Sequence, residues 1–249
     1  MSPGNPVPNY YAASPNIAIA LSQSTDGGIY HGGNVGQLGY TKYLKTFMAM
    51  TQTATAIPLP MLLCDYLMYY PFVDMSVTDY QSLTTNIALP RYPTGTNVQI
   101  MAVEVAGQSG VGNPQFQVTY TNQSGVSGRV TRPVACNTQV VNGTLINTAA
   151  ATNFSNGPFL PLETGDTGVR QIDGIQFFTA DVGLISLVLV RVVDDQIIRT
   201  IDAPVEKNCF TDFSGMPVIA DDAYLNLICC PSGTLSAAPF HGYLQTVWG

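Results

Sequence analysis

The chain has 249 residues, of which 46% are hydrophobic, enough for a sizeable core. Charged residues make up only 10%, against about 25% in typical soluble domains, so we expect much of the surface to meet other protein; a neutral, polar β-rich surface is the alternative. The formal net charge is −7, and the nine Lys and Arg residues are scattered, which argues against direct nucleic-acid binding.

Residues 1–40 are rich in proline and glycine and lack a sustained hydrophobic period, which predicts an extended N-terminal arm. Within it, NIAIALSQ alternates and places Ile17, Ile19 and Leu21 on one face, so this segment could add as a strand to a sheet edge. We expect that edge to belong to a neighbouring subunit, with the chain's own sandwich as the alternative.

The arm is followed by a predicted short helix at 40–52 and then by the apolar run LPMLLCDYLMYYPFVDM at 59–75. An aspartate near the middle of this run and a proline near each end argue against a membrane span, which needs about 20 apolar residues. As a strand it is apolar on both faces, with Tyr66, Met68 and Tyr70 together on one of them. We therefore expect it to be buried, either in the core or in an interface.

The remaining chain carries β signals. QFQVTYTN at 115–122 alternates strictly, which predicts a half-buried strand. Residues 173–194 predict a strand, a turn and a second strand, and this second strand is apolar on both faces and should be central in its sheet. Residues 223–249 predict a terminal hairpin around residues 231–233.

Short strands separated by glycine and proline predict an all-β protein. We expect a jelly-roll-like antiparallel β-sandwich that forms a single domain over residues 41–249, preceded by the extended arm at 1–40. The sequence shows neither a signal peptide nor a membrane span, so we expect a soluble, unprocessed chain.

Residues that could carry chemistry are few. The two histidines, His31 and His241, lie far apart, and no His or Cys pair has the spacing of a metal site. DTG at 166–168 resembles the aspartic-protease triplet, but it has no second copy and follows a turn-like ETG, so we interpret it as a turn. Adjacent Cys229 and Cys230 are interpreted as core thiols. We predict no catalytic residue, no metal and no cofactor.

Two acidic pairs, Asp194-Asp195 and Asp221-Asp222, lie near the ends of predicted strands. Their carboxylates could hold a calcium ion, but we interpret them as solvated turn residues. The five cysteines are an odd number, which predicts free thiols in a reducing compartment.

Five segments resemble, in this order, a group of tailed-bacteriophage virion proteins. They are CDYLMYYPFVDMSVTDYQ (64–81), LPRYPTG (89–95), FQVTYTNQSGVSGRVT (116–131), GPFLPLETGDTGVRQIDGIQF (157–177) and AYLNLICCPSGTLSAAPFHGYLQTVWG (223–249). The resemblance covers roughly residues 55–249 and is poor over the arm. It is specific as a series, although no single segment is a chemical motif, and it carries over no catalytic residue.

The resemblance implies a non-enzymatic capsid decoration (cement) protein that oligomerises and stabilises the phage head. Its location would be the virion, which is assembled in the cytoplasm of the bacterial host. Its partners would be its own copies and the major capsid protein or other virion proteins. It would bind neither nucleic acid directly nor a membrane. The alternative is a tail, collar or fibre module that binds host glycan through aromatics such as Trp248. An enzyme such as a depolymerase would need a paired-carboxylate cleft, which spacing does not reveal. The side chains predicted at an interface are Tyr10, Tyr11, Ile17, Ile19, Leu21, Tyr66, Met68 and Tyr70.

Overall fold

The computed structural model describes residues 15–33, 39–106, 114–136, 145, 147–148, 158–212, 215–230 and 239–249. The fold is all-β, as predicted, and its sheets are antiparallel. The strands are β1 (Ile19–Ala20), β2 (Lys42–Thr51), β3 (Leu59–Asp74), β4 (Gln81–Ser82), β5 (Val98–Ala106), β6 (Gln115–Asn122), β7 (Arg129–Val130), β8 (Val134–Cys136), β9 (Asn147–Thr148), β10 (Val169–Phe177), β11 (Leu184–Ile198), β12 (Val205–Asn208), β13 (Tyr224–Cys229) and β14 (Phe240–Trp248). A one-turn helix α1 (Gln23–Asp26) and a 3-10 turn (Ala54–Ala56) complete the described elements.

The strands form three sheets. One has the order β1-β3-β11-β5, with β13 also paired to β3; the second has the order β4-β10-β6-β8-β9, with β7 also paired to β6. The third is three-stranded, in the order β12-β2-β14. β11 lies between two neighbours, which confirms the prediction that this strand, apolar on both faces, is central.

The chain divides into two compact units. Of the described residues, the first unit holds 22–65 and 192–249, and the second holds those up to Leu21 together with 66–191. The long strands β3 and β11 each contribute residues to both units. The described part of the predicted arm is divided between the units after Leu21. Compact units need not fold independently, so a single domain over 41–249 stays a prediction.

The second unit has a core between two sheet faces. Buried side chains of β3, β5 and β11 pack with those of β6, β8 and β10 in one apolar cluster. Phe116, Val118 and Tyr120 all lie in it, which confirms the alternation of β6. Two sheets that share one core form a β-sandwich. Jelly-roll connectivity stays a prediction.

The first unit has its own core, built largely from β2, the start of β3, and β13. Leu44 and Phe47 of β2 meet Leu63 of β3 and Leu225 of β13. Phe240 and Leu244 of β14 pack against this cluster and are partly buried.

The helix predicted at 40–52 is wrong, because this segment is strand β2. β2 pairs with β14, and the register shifts where Thr46 and Leu44 face Gln245 and Thr246, so that Lys45 is an extra residue. A bulge of this kind changes which residues face the core. Lys42 and Leu44 point inward before it, and Phe47 and Ala49 point inward after it. The resulting three-residue step from Leu44 to Phe47 gives the sequence a helical spacing.

The apolar run at 59–75 forms β3, and its position is settled as core. Tyr66, Met68 and Tyr70 have no exposed surface, and neither does Leu21. These four predicted interface residues lie in the chain's own interior, so they provide no surface on which another subunit could pack. Of the two positions expected for this run, the core is confirmed and an interface with another subunit is not.

The alternating segment of the arm pairs with its own chain. In β1, Ile19 and Ala20 lie opposite Tyr69 and Met68 of β3, and Leu21 donates its N–H to Leu67 O at 2.9 Å. The expectation that this edge belongs to a neighbouring subunit is therefore wrong for β1. An interface at Ile17 and Ile19, which are half-buried, stays a prediction, and Tyr10 and Tyr11 lie outside the described residues.

The prediction of a terminal hairpin is also wrong, because β13 and β14 belong to different sheets. β13 pairs with β3, whereas β14 pairs with β2. The predicted turn at 231–233 lies outside the described residues. The sequence therefore predicted both strands correctly, but it predicted the wrong pairing partner for each of them.

Candidate functional site

A buried basic cluster lies in the first unit. The side chain of Lys42 has no exposed surface, and its Nζ lies 3.6 Å from Asp221 Oδ1 and 3.1 Å from His31 Nδ1. His31 Nε2 lies 2.8 Å from the carbonyl oxygen of Ala223. Nε2 must therefore carry the hydrogen that it donates to this carbonyl, and Nδ1 accepts a hydrogen bond from Lys42. The cluster joins the glycine-rich segment to the start of β2.

The burial and the pKa of Lys42 agree with a structural role for the cluster of Lys42, His31 and Asp221. Burial lowers the pKa of Lys42, while the carboxylate of Asp221 opposes this change by favouring the charged amine. An amine with a lowered pKa can be nucleophilic. However, a side chain with no exposed surface cannot reach a substrate, so we interpret Lys42 and His31 as a buried hydrogen-bonded link.

The aspartate of the DTG triplet organises a second cluster, in the second unit. Its carboxylate accepts three hydrogen bonds: from Tyr120 Oη at 2.6 Å, from Asn122 Nδ2 at 2.7 Å and from Arg129 Nε at 2.9 Å. Arg129 also pairs with Glu163 at 3.0 Å, and the Asp166 N–H bonds to the Glu163 carbonyl. The triplet is therefore part of a turn, as predicted, and this turn is held to β6 and β7.

The environment of Asp166 stabilises its charged form. Burial alone would raise the pKa of this carboxyl, but hydrogen bonds from Tyr120, Arg129 and Asn122 outweigh burial and bring the pKa below its usual 3.8. Burial and the neighbouring carboxylate raise the pKa of Tyr120 well above its usual value. A carboxylate with a low pKa and three donors is a weak base, so the cluster suits cohesion better than proton transfer.

The interpretation of the acidic pairs as solvated turn residues is wrong for Asp194, which is buried in β11, and Asp195 is exposed but also lies in that strand. Asp221 and Asp222 do lie in a turn, where they are half-buried and contact other residues of the chain. Asp194 is buried and pairs with the ammonium group of Lys207, which also donates to the Asp195 carbonyl at 2.9 Å. Asp222 accepts hydrogen bonds from Ser24 N at 2.9 Å and Ser24 Oγ at 3.0 Å. Sequence reasoning missed these contacts, because Ser24 lies 198 residues from Asp222 and because Lys207, 13 residues after Asp194, lies on a different strand.

The thiols lie in or near the cores. Cys64, Cys136 and Cys209 are buried, and Cys229 and Cys230 are half-buried. Burial raises the pKa of Cys229 to about 12, and the pKa of Cys230 is also raised by burial. Thiols of this kind are poor nucleophiles at neutral pH. Among the described residues, no group of three or more His, Cys, Asp and Glu side chains could hold a metal.

Most cationic side chains have contacts within the chain. Of the nine Lys and Arg residues, seven contact a carboxylate, a carbonyl, a hydroxyl or an aromatic ring: Lys42, Arg91, Arg129, Arg132, Arg170, Arg191 and Lys207. Arg91, for example, donates to the carbonyl oxygens of Leu21 at 2.9 Å and Tyr66 at 2.8 Å. The few charges of this chain therefore serve largely to hold its own elements together.

One apolar cavity lies in the first unit, with a volume of about 210 Å³. Its walls come from β2, β13, β14 and the segment before β2; they are Ile29, Phe47, Met48, Asn226, Leu227, Phe240, Gly242, Tyr243 and Leu244. Apart from the amide of Asn226 and the Tyr243 hydroxyl, these side chains offer no polar group. The cavity could bind an apolar group, but its lining residues include no nucleophile, acid or base that would catalyse a reaction.

β14 is an unusual edge strand. It is nine residues long and ends its sheet with one neighbour, β2, among the described strands. The other sheet ends are short or covered: β1, β4 and β9 have two residues each and β12 has four. β5 is flanked by Leu145 and Leu160, and β13 by Ile29.

No family model matches the chain, and the searches of curated proteins and solved structures likewise find no match. The described part of the chain has no helix with the length and hydropathy that a membrane crossing requires.

Proposed function

We propose that this chain is a non-enzymatic structural protein of a bacteriophage particle, and specifically a capsid decoration protein that binds the outside of the shell as an oligomer. The ordered series of segments that resembles tailed-phage virion proteins supports the phage assignment. The all-β fold is compatible with it.

The observation that carries the structural role is the use of charge. Only 10% of residues are charged, and seven of the nine cations contact groups of the chain itself. The described surface also exposes large apolar side chains, including Tyr30, Phe210 and Trp248. Interfaces are depleted in Lys, Glu and Asp and enriched in aromatic residues, so this surface suits contact with other protein.

A decoration protein of this kind acts mechanically. It would bury neutral polar and aromatic surface across the boundaries between capsomers, and the buried area would oppose their separation under the pressure of packaged DNA. A specific protein interface buries about 1,200–2,000 Å² in total. Repetition of such a contact over the shell would give a large summed stabilisation without any chemical step.

The test is the copy number of this chain in purified particles, measured by quantitative mass spectrometry against the major capsid protein. A decoration protein should be present in hundreds of copies. Particles that lack it should assemble and then release DNA at a lower temperature. Absence of the chain from particles would contradict the proposal.

A fibre, collar or tail module that binds host glycan is the second candidate. The specific observation in its favour is the half-exposed ring of Trp248, with Tyr243 exposed on the same strand, because exposed aromatic rings can stack on sugars. Copy numbers of tens or fewer, together with glycan binding that Trp248→Ala abolishes, would favour this candidate over decoration.

A further inference from the structure

We propose that β14 is a homotypic docking edge. Two copies of this chain would pair their β14 strands antiparallel, and their two three-stranded sheets would become one sheet of six strands. The inference concerns how copies join and does not rest on the assignment to a phage particle.

The backbone of β14 offers hydrogen-bonding groups on its free side. Gly249 and Thr41 exchange both backbone hydrogen bonds, at 3.1 and 2.9 Å. In an antiparallel pair, the residue next to such a position turns its N–H and C=O away from the partner strand. Trp248 therefore points these groups to the free side, and so does Thr246, because the register with β2 is unbroken between them. No other described strand pairs with that side of β14.

The side chains of β14 do not protect this edge. Natural edge strands are usually blocked by lysine, by proline or by short length. FHGYLQTVW contains no Asp, Glu, Lys, Arg or Pro over nine residues. At the other end of the same sheet, β12 is four residues long and carries Glu206 and Lys207. The sheet is therefore protected at one edge and open at the other.

A second copy of the chain is the occupant that these features fit. An antiparallel pair of identical strands is related by a twofold axis. Each copy therefore supplies hydrogen-bond partners for the free edge of the other, and the assembly closes at two chains. Since β14 is uncharged, pairing with itself brings no like charges together in any register. With the axis at Leu244, Tyr243 would lie opposite Gln245, and Trp248 would lie opposite Phe240.

The proposed pairing would also cover apolar surface of Trp248 and Phe240. Trp248 faces Lys42 and Phe240 faces Thr51 in the ladder with β2, and Lys42 and Thr51 are buried. Paired copies would therefore place Trp248 beside Phe240 of the second copy on the core-facing side of the joined sheet. The half-exposed ring of Trp248 would lose solvent contact there.

The first test introduces charge at the edge. His241→Lys with Gln245→Lys changes two exposed residues of β14 and raises the net charge by two. The matched control, Val126→Lys with Val182→Lys, makes the same change in charge at two exposed positions outside the sheet. Sedimentation of the wild-type chain should show a shift from 26.6 kDa to twice this mass as concentration rises. The dissociation constant should increase at least tenfold in the β14 variant, which is about 1.4 kcal/mol, and remain unchanged in the control.

The second test locates the contact by amide hydrogen exchange. The N–H groups of Thr246 and Trp248 should become protected as concentration rises. Thr246→Pro removes one outward donor without loss of a backbone bond to β2, and it also removes the hydrogen bond from Thr246 Oγ1 to the His31 carbonyl at 3.2 Å. This variant should stay folded, with a small loss of stability, and be monomeric. A wild-type chain that remains at 26.6 kDa up to its highest soluble concentration would overturn the proposal. Dimerisation of the lysine variant equal to that of its control would do the same, as would protection of β14 only after another protein is added.

Discussion

The cohesion of the second unit can be tested at Asp166, whose carboxylate joins the turn at 163–166 to β6 and β7. We consider Asp166→Ala, which removes the acceptor of three hydrogen bonds at 2.6–2.9 Å. The side chain of Asp166 is 4% exposed, so water can replace the lost acceptor only if the turn opens.

The expected loss of unfolding free energy follows from the donor groups that lose the Asp166 carboxylate as their acceptor. The Tyr120 hydroxyl belongs to a fully buried residue, and the amide of Asn122 belongs to one that is 5% exposed; leaving a buried donor without an acceptor costs about 1–3 kcal/mol. Arg129 keeps Glu163 at 3.0 Å, so its loss should be below about 1 kcal/mol. Since such terms are not additive, we expect roughly 3 kcal/mol in total. For a chain of this size the melting temperature should fall by about 6–12 °C.

The assay is urea and thermal unfolding of the wild-type chain, Asp166→Ala and the control Glu163→Gln. The control weakens the other carboxylate partner of Arg129, which is 44% exposed, so it should cost less than about 1 kcal/mol. Equal stability of the two variants would refute the reasoning, because it would mean that the three short hydrogen bonds contribute no more than one exposed ion pair.

The same residue predicts a pH dependence. The pKa of Asp166 is lowered in the folded chain, so the unfolded chain binds the proton first as pH falls. The stability that Asp166 supplies is therefore present above its unfolded value of about 3.8 and is lost as pH falls through the folded value. The difference in unfolding free energy between wild type and Asp166→Ala should shrink over that range and stay constant at higher pH.

Two further predictions concern the cores. Leu21→Ala should cost about 2–5 kcal/mol, because Leu21 is fully buried in its own chain; unchanged thermal stability with weaker self-association would instead restore a role for this segment between subunits. Alkaline pH should lower the melting temperature, because burial raises the pKa of Cys229 from 9.0 to about 12. Burial also raises the pKa of Tyr70 from 10.0 to about 12, and a hydrogen bond with Thr85 opposes this change in part. This stability is present below the unfolded values and lost as pH rises through the folded ones, so Cys229→Ala should show a shallower decline in a series of melting curves above pH 9.0.

Hydrophobic pattern predicted the strands where one face or both faces are plainly apolar. The alternation at 115–122 and the apolar second strand after residue 183 both depend on side-chain period alone, and both are confirmed. The pattern failed at β2, because the extra residue Lys45 shifts the inward face within the strand. A bulge leaves no mark in composition, and the three-residue step that it produces is the step of a helix.

Pairing and ion contacts could not be predicted, because they join residues that are distant in sequence. β13 and β14 are neighbours along the chain, yet their partners lie far earlier. Tyr224 of β13 contacts Asp65 of β3, 159 residues away, and Gln245 of β14 contacts Thr46 of β2, 199 residues away. The same holds for Lys42 with Asp221 and for Asp166 with Tyr120. The sequence shows that these side chains are scarce, but only the fold shows that they meet.

Low charge has two consequences in this chain, and they act together. Cations that contact carbonyls and carboxylates of the chain itself strengthen the fold, as Arg91 and Arg129 do. The same use of charge leaves few residues with which to guard a sheet edge, and β14 carries none. A chain selected to stay monomeric would be expected to place a lysine or a proline on a nine-residue edge. Their absence from β14, in a sheet whose opposite edge carries Glu206 and Lys207, is the reason to look for self-association there rather than at the buried run of β3.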